Sequence, residues 1–560
     1  MPKLRSAVPL LLLILFVEQS PLAEAATLRV PEDHKTIQAA INAAASGDTV
    51  LVGPGTYRER IQLKDKITLR SAGDDTQGKL GLMRAEQTII DGTDGNEDSP
   101  GIAMAEDATL DGFSVTGIGS YDEDAWNQHH ASQGEEQSEE HIGKPGIAGI
   151  SVIGIADCRV INNIVHHVGY TGIVIIGAEG KRVSPKILRN VTYRNMGGGI
   201  GVMTYSSPTV EANTCFENFY AGIGHANHAS PMVINNSCYG NIRAGIGISE
   251  GSSPVVRGNK CYENRRAGIG IRTGKDTGPL VEHNECYDNH MAGIGVREDA
   301  TPTLRLNRCY RNREAGIGCR TGASPVIERN DCFQNEMSGI GAQQDARPII
   351  VGNHCFENQE SGIGIRDKAK AIVIRNRCTD NKTVAIGVQN ESQVQIIDNQ
   401  LSRTGGMPPM IAIQGSSRAS ISNNIITGGG VAGVLVQGTA TISGNHFHGN
   451  GPRKGPGPPN FAVWVHEGSS VDFIDNQIEG WRHALFASKA EQIRAIHNTT
   501  RRFMETAIVI HDSTQPANAF DNIALSDGKK DESVRVTGQQ AVVTNNILRP
   551  EKDTKDALPE

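Results

Sequence analysis

Large aromatic side chains are scarce in this 560-residue sequence, where Phe, Trp and Tyr together make up 4%. A chain so short of bulk does not fill the several compact cores that its length suggests at about 150 residues per domain. Positive charge is not in excess either. The net charge of -8 removes any global drive toward nucleic acid or acidic membranes. Beyond the first 25 residues no apolar run reaches the roughly 20 residues that span a bilayer. Helical periodicity is missing from the middle of the chain. Disorder is excluded too, because 38% of the residues are hydrophobic and only 21% charged. The start of the chain reads as an export signal: Lys3 and Arg5, an apolar run over residues 8–17, and the small-x-small step Ala23-Glu24-Ala25. The mature protein is therefore expected in the periplasm or outside the cell.

Glycine is abundant, with 64 residues, and it recurs within a repeated phrase. One copy runs Ala244-Gly-Ile-Gly, Pro254-Val-Val, Asn259-Lys-Cys261-Tyr, Asn264. Cys215, Cys238, Cys261, Cys286, Cys309, Cys332, Cys355 and Cys378 mark steps of 23 residues, with one step of 25. Internal periods of about 20–50 residues belong to solenoids. Within a repeat the apolar residues alternate in short runs separated by Gly, Pro and Asn, which makes strands joined by bends. Ile269 and Ile271 share one face, and Gly268, Gly270 and Arg272 the other. Two or three such strands in 23 residues make one coil of a parallel β-helix, an all-β solenoid. Like residues then stack about 4.8 Å apart.

The columns follow from that winding. Asn213, Asn236, Asn259, Asn284, Asn307, Asn330, Asn353 and Asn376 are expected at a tight bend, in the left-handed conformation, bonded amide to amide. A second column runs from Asn218 to Asn381, and the cysteines between the two point inward as free, buried thiols. Looser copies continue through Asn399, Asn424, Asn445, Asn476, Asn522 and Asn546, and upstream to Asn163. One domain is thus expected over residues 26–549, with a disordered tail at 550–560. Asp33 is the expected N-cap of a short capping helix that buries Ile37, Ala40, Ile41 and Ala44 and ends at Gly47. Residues 49–52 and 67–69 are then the first strands.

The segments Thr36-Ile-Gln-Ala-Ala-Ile41 and Gly47-Asp-Thr-Val-Leu-Val-Gly-Pro-Gly-Thr-Tyr-Arg-Glu59, with the Gly-Ile and Asn columns, resemble the right-handed parallel β-helix proteins of the pectin-lyase-like superfamily. The columns look like its carbohydrate-binding and sugar-hydrolase repeats. The N-terminal region also resembles the NosD-like periplasmic copper-accessory proteins. The resemblance implies a single-stranded, right-handed helix over nearly the whole chain. It does not carry over a catalytic residue. The Asp-Phe-Ile-Phe-Gly stretch of pectin methylesterases and the Asp-Pro-His-Asp motif of mannuronan epimerases are both absent.

The glycine strand is the candidate surface. Its outward edge carries Arg272, Arg297 and Arg320, then Gln343 and Arg366, flanked by Ser249 and Gln389. Guanidiniums about 4.8 Å apart repel by roughly 3–4 kcal/mol at an effective dielectric of 20. Such a row invites a uronate or sulfate polymer, which arginine binds bidentately. Glu298, Asp299 and Asp367 offer local neutralisation instead, and repeat duplication alone also copies an exposed residue from coil to coil. A second candidate is the insertion at 120–144, with Tyr121, Trp126, His129, His130, Glu135, Glu136, Glu139, Glu140 and His141. It reads as a plain loop, as a flap with Trp126 free to stack on a sugar, or as a divalent-metal site without a closed ligand signature. His166, His167, His225, His228 and Tyr205 are placed near the glycine strand or its bends, with His225 facing inward.

The leading expectation is an exported β-helix that binds an acidic polysaccharide along the Gly/Arg face through Arg272, Arg297, Arg320 and Arg366. Whether it also processes the polymer as a lyase, epimerase or hydrolase stays open. A non-enzymatic envelope or surface protein and a NosD-like metal-accessory protein are the alternatives. A monomer is expected, with no cofactor beyond the optional metal, no nucleic-acid partner and no transmembrane segment once the signal is removed.

Overall fold

The computed structural model of the chain describes residues 25–75, 78–132, 147–428, 430–451, 461–526, 532–538 and 541–550. Nearly all of the export signal, the second half of the 120–144 insertion and most of the tail therefore lie outside the described residues. The chain winds as a parallel β-helix with three strands per coil. One coil consists of Val255–Arg257, Lys260–Tyr262 and Ile269–Ile271. Each strand pairs in register with its copy one coil on: Val256 with Val281, Cys261 with Cys286, Ile269 with Ile294. The first of the three sheets has 21 strands. Alternation decides which side chains enter the core. Val256, Cys261, Ile269 and Ile271 are buried, while the residues between them face out. All ten cysteines are free and buried. Cys158 and Cys319 are pushed up to about 12 by burial, which makes them inert.

The bends are held by asparagine. Asn307 Nδ2 donates to Asn330 Oδ1 (3.0 Å) and to the Val281 carbonyl (2.9 Å). Its Oδ1 accepts from the backbone N–H and Nδ2 of Asn284, both at 3.0 Å. This pattern continues from Asn163 through Asn190 and Asn498 to Asn546. A second ladder runs from Asn195 to Asn381. The left-handed conformation falls elsewhere than the sequence suggests: it belongs to the residue before each ladder asparagine. Ala212, Asn235, His283, Leu306, Arg329 and Arg375 all have φ near 55°. The preceding residue turns the chain so that the asparagine side chain points into the bend, where it fills otherwise orphaned backbone groups.

The N-terminal end also departs from expectation. The first strand is Thr27–Val30, which pairs with Thr49–Val52, and Thr68–Ser71 follows. The capping helix is Ile37–Ala43. Its N-cap is Thr36, whose hydroxyl accepts from the Ala39 N–H, while Asp33 accepts from the Arg29 N–H. Gly47 lies beyond the Ala44 C-cap. On the outside of the second sheet, Tyr193, Phe216, Tyr239, Tyr262, Tyr287, Tyr310, Phe333 and Phe356 form a stacked column with centroids 4.7–5.0 Å apart.

Removing one amide from the ladder leaves several buried groups unpaired, each at about 1–3 kcal/mol. Asn307→Ala is expected to destabilise the protein by about 3 kcal/mol or more. Arg308→Ala, which removes a half-exposed pair with Glu285, is expected to cost under about 1 kcal/mol. Denaturation midpoints by circular dichroism, with amide exchange at Asn284 and Asn330, check this. Equal midpoints would refute the assigned role of the ladder.

Candidate functional site

The third sheet carries a groove. Its floor is the outward column Gly201, Gly224, Gly247, Gly270, Gly295, Gly318, Gly341, Gly364 and Gly387, in register coil after coil. At one end the column rises to Val174; at the other it climbs through Ala412 and Leu435 to Trp464 and Phe486. The two glycines of each repeat differ in role. A Cβ on Gly268 would stand 2.7 Å from the Gly293 carbonyl and 2.9 Å from Asn289 Nδ2, so this glycine lets the coil close over the second asparagine ladder. A Cβ on Gly270 would meet only Ala244 Cβ, at 3.6 Å. Only the second glycine leaves the surface bare.

Register places Arg272, Arg297, Arg320, Gln343 and Arg366 in one column along the groove edge, because the residues before them pair successively. Arg272 is exposed and the others are half-buried. The opposite edge holds Tyr220, Arg243, Arg266, Met291 and Glu314, none of which the sequence reading singled out. Arg243 lies over the Tyr220 ring at 3.9 Å. Burial, with the guanidiniums of Arg243, Arg297 and Arg272, pushes Arg266 down to about 10. Burial and Arg320 likewise lower Arg297, opposed by Glu298. Glu314 reaches across the floor to Arg320 at 3.2 Å. The carboxylate that meets the arginine row thus comes from the far wall. Of the neighbours expected to neutralise it, Glu298 accepts from Thr273 and Asp367 from Asn390.

The Glu314–Arg320 bridge divides the groove into two recesses. One, of about 370 Å³, is lined by five arginines (Arg243, Arg266, Arg272, Arg297 and Arg320) and two glutamates (Glu250 and Glu314). The other, of about 460 Å³, has two of each (Arg320 and Arg366, Glu314 and Glu360).

The remaining candidates fall outside this groove or beneath its floor. His225 is buried in the core; its Nδ1 meets the Gly247 carbonyl at 2.9 Å, and burial pushes it to about 4. His228 stacks on Tyr205 at 5.0 Å beyond the arginine edge. His166 and His167 sit at the second sheet, 2.8 Å apart through Nδ1, with His166 stacked on Tyr193. The start of the 120–144 insertion is a helix, Glu123–Ala131, N-capped by Asp122. Trp126 is not free to stack on a sugar. It is buried against Met196, Phe219 and Ile242, and its Nε1 donates to the Glu217 carbonyl at 2.8 Å. Among the described residues no group of three His, Cys, Asp or Glu side chains is arranged to hold a metal. Glu135, Glu136, Glu139, Glu140 and His141 lie outside them.

A family model described as "Right handed beta helix region" matches residues 148–303, 270–401 and 385–548. No curated protein matches the sequence. Among solved structures, the AlgE4 A-module of mannuronan C-5 epimerase from Azotobacter vinelandii is 15% identical, with a TM-score of 0.31, covering 91% of this chain and 95% of that one. The catalytic unit of a GH87 alpha-1,3-glucanase from Streptomyces thermodiastaticus is 13% identical, with a TM-score of 0.34 and coverage of 80% and 68%. Gene product 12 of bacteriophage phi29 is 10% identical, with a TM-score of 0.40 and coverage of 90% and 71%. At these identities the likeness reaches no further than the fold.

The two glycines give opposite expectations. Gly268→Ala overpacks the ladder and is expected to destabilise by about 1–3 kcal/mol; Gly270→Ala is expected to be neutral or to stabilise by up to about 1 kcal/mol. Thermal midpoints check both, and a loss at Gly270 as large as at Gly268 would refute the distinction.

The helix Glu123–Ala131 has a pH-sensitive seat. Arg265 donates to His130 Nε2 and His290 Nε2, both at 2.9 Å, which requires both rings neutral. Burial, then Arg265 and Arg194, lower His130 against Glu217. Burial, then Arg265, Arg313 and His130, push His290 to about 4. A depressed histidine stabilises the docked helix above its ordinary value of 6.5, and that stability fades as pH falls toward 4. Trp126 emission in a background lacking Trp464 and Trp481 is expected to shift red over that window. The shift should vanish in His130→Gln with His290→Gln, and a flat profile in the parent would refute it.

Proposed function

The chain belongs to the right-handed β-helix family, and we propose that it binds an acidic polysaccharide, extended along the glycine-floored groove and held by Arg272, Arg297, Arg320 and Arg366. The observation that carries this reading is the recess whose two edges together hold five arginines and two glutamates, on either side of a floor without side chains. A polymer bearing carboxylates or sulfates at a spacing near the coil rise meets one guanidinium per coil, and the planar fork binds such groups with two parallel hydrogen bonds. The bare floor lets the sugar backbone lie close to the strands. Bound anions also relieve the mutual repulsion that, after burial, lowers Arg266 and Arg297. An exported location, read from residues 1–25, suits such a polymer.

Gel retardation and calorimetry with pectate, alginate and heparin test the reading. Binding is expected, weakening with salt. A hydrogen bond to a charged group contributes roughly 1.5–3 kcal/mol, so Arg272→Ala with Arg297→Ala is expected to weaken binding by about a hundredfold or more. Failure of all three polymers to bind, or unchanged affinity in that double variant, would overturn the proposal.

A further inference from the structure

We infer that the groove holds a second binding section, beyond the Glu314–Arg320 bridge, that takes uncharged sugars. This deepens the proposed function and rests on the groove being a glycan site. Charge separates the two sections first. The arginines of this recess are matched one for one by glutamates, so a polyanion that reaches Arg366 is held there more weakly than in the first section.

Its edge is built differently. Where the first section has arginine above arginine, here Arg366 donates to Gln343 (2.7 Å) and a ladder of amides follows it. Gln389 Nε2 donates to Gln414 Oε1 (3.0 Å), and Gln414 Nε2 to Gln437 Oε1 (3.1 Å). In this ladder Gln414 spends one donor and one acceptor on its neighbours. It keeps another N–H and another lone pair. The neighbours fix its orientation, so both are presented without further loss of side-chain freedom. A paired donor and acceptor at each coil suits the hydroxyls of a neutral sugar, which both donate and accept.

The floor changes at the same place. Ser338 and Ser361 stand where earlier coils carry Ala244, Ala267, Ala292 and Ala315, and their hydroxyls meet at 2.8 Å. Ser338 also donates to Glu360 at 3.4 Å. Further on, the glycine column gives way to Ala412, Leu435 and Trp464. Trp464 is only half-buried. An apolar ramp ending in an indole, beside a row of amides, offers contact to the C–H faces of a pyranose and hydrogen bonds to its rim. The ligand class is thus a glycan whose anionic groups are confined to one stretch, followed by neutral sugars.

Calorimetry and saturation-transfer NMR on the full chain, with cellohexaose, mannohexaose and maltohexaose as probes, test this. At least one hexaose is expected to bind. Gln389→Ala with Gln414→Ala is expected to weaken it tenfold or more, as is Trp464→Ala, with pectate affinity unchanged. Arg272→Ala with Arg297→Ala is expected to do the reverse. Gln389 is exposed and Gln414 half-buried at the edge, so the glutamine variants keep the test open if Trp464→Ala fails to fold. The inference is overturned if no hexaose binds, or if hexaose binding ignores the glutamines and falls with the arginines. Loss of pectate binding alone would instead count against the acidic section.

Discussion

In a coil that repeats in register, every side chain meets copies of itself above and below, and only residues that satisfy their own kind are admitted. Asparagine does so inside, because its amide carries both a donor and an acceptor. Each member of the ladder spends both on its neighbours and on the backbone of the bend. Cysteine, valine and isoleucine do so by being apolar. Outside, aromatic rings stack on aromatic rings with interplanar angles of 3–10° along the regular coils. Where an acid must stack, its neighbours change sign. Glu282 is 2% exposed and sits between Arg257 and Arg305. Burial alone would raise its pKa, but hydrogen bonds from the two guanidiniums hold it below the usual range.

Against that rule the groove edge is an exception. Arg272, Arg297 and Arg320 stack like on like, with Arg243 and Arg266 doing the same across the floor. No alternation of sign relieves them along either column. The solenoid manages such relief elsewhere, so its omission here is not forced by the winding. Local conflicts of this kind concentrate at functional sites. The bridge from Glu314 to Arg320 relieves the end of the row, and Glu298 offsets only part of what burial, Arg320 and Arg272 do to Arg297.

Much of the architecture was legible because it is periodic. Cysteines every 23 residues defined the coil, and asparagines recurring at the same interval defined the bend. The reading erred where the determinant is not the residue itself. The left-handed φ belongs to Leu306 or Arg329, residues with no turn preference, because the ladder needs its asparagine pointed inward and leaves the turning to the residue before. The two glycines of Gly268-Ile-Gly270 look alike in sequence, and it is the next coil, with the Gly293 carbonyl and the Asn289 amide, that distinguishes them. The second wall was missed because Arg266 precedes its strand, outside the alternation that gives facing. Its signal was the variable residue before each Ala-Gly-Ile-Gly. The helix Glu123–Ala131 was hidden by its charge: its burying face is only Ala125, Trp126 and His129.

The floor also limits what lies on it. Nine successive glycines at a rise of about 4.8 Å give a track of roughly 40 Å, far longer than any monosaccharide. It is closed at one end by Val174 and at the other by the climb to Trp464 and Phe486. The extended chain proposed above uses such a length. On a track of uniform chemistry that chain would sit equally well in either direction and slide by one coil at little cost, because each coil repeats the last. The break at Glu314–Arg320 removes that degeneracy. For the glycan proposed above, with arginines along one section and glutamines along the other, sliding or reversal would bring anionic groups beside Glu360 and take hydroxyls away from the amides. A solenoid gains length by repetition, and it gains register and direction only by departing from repetition at a defined coil.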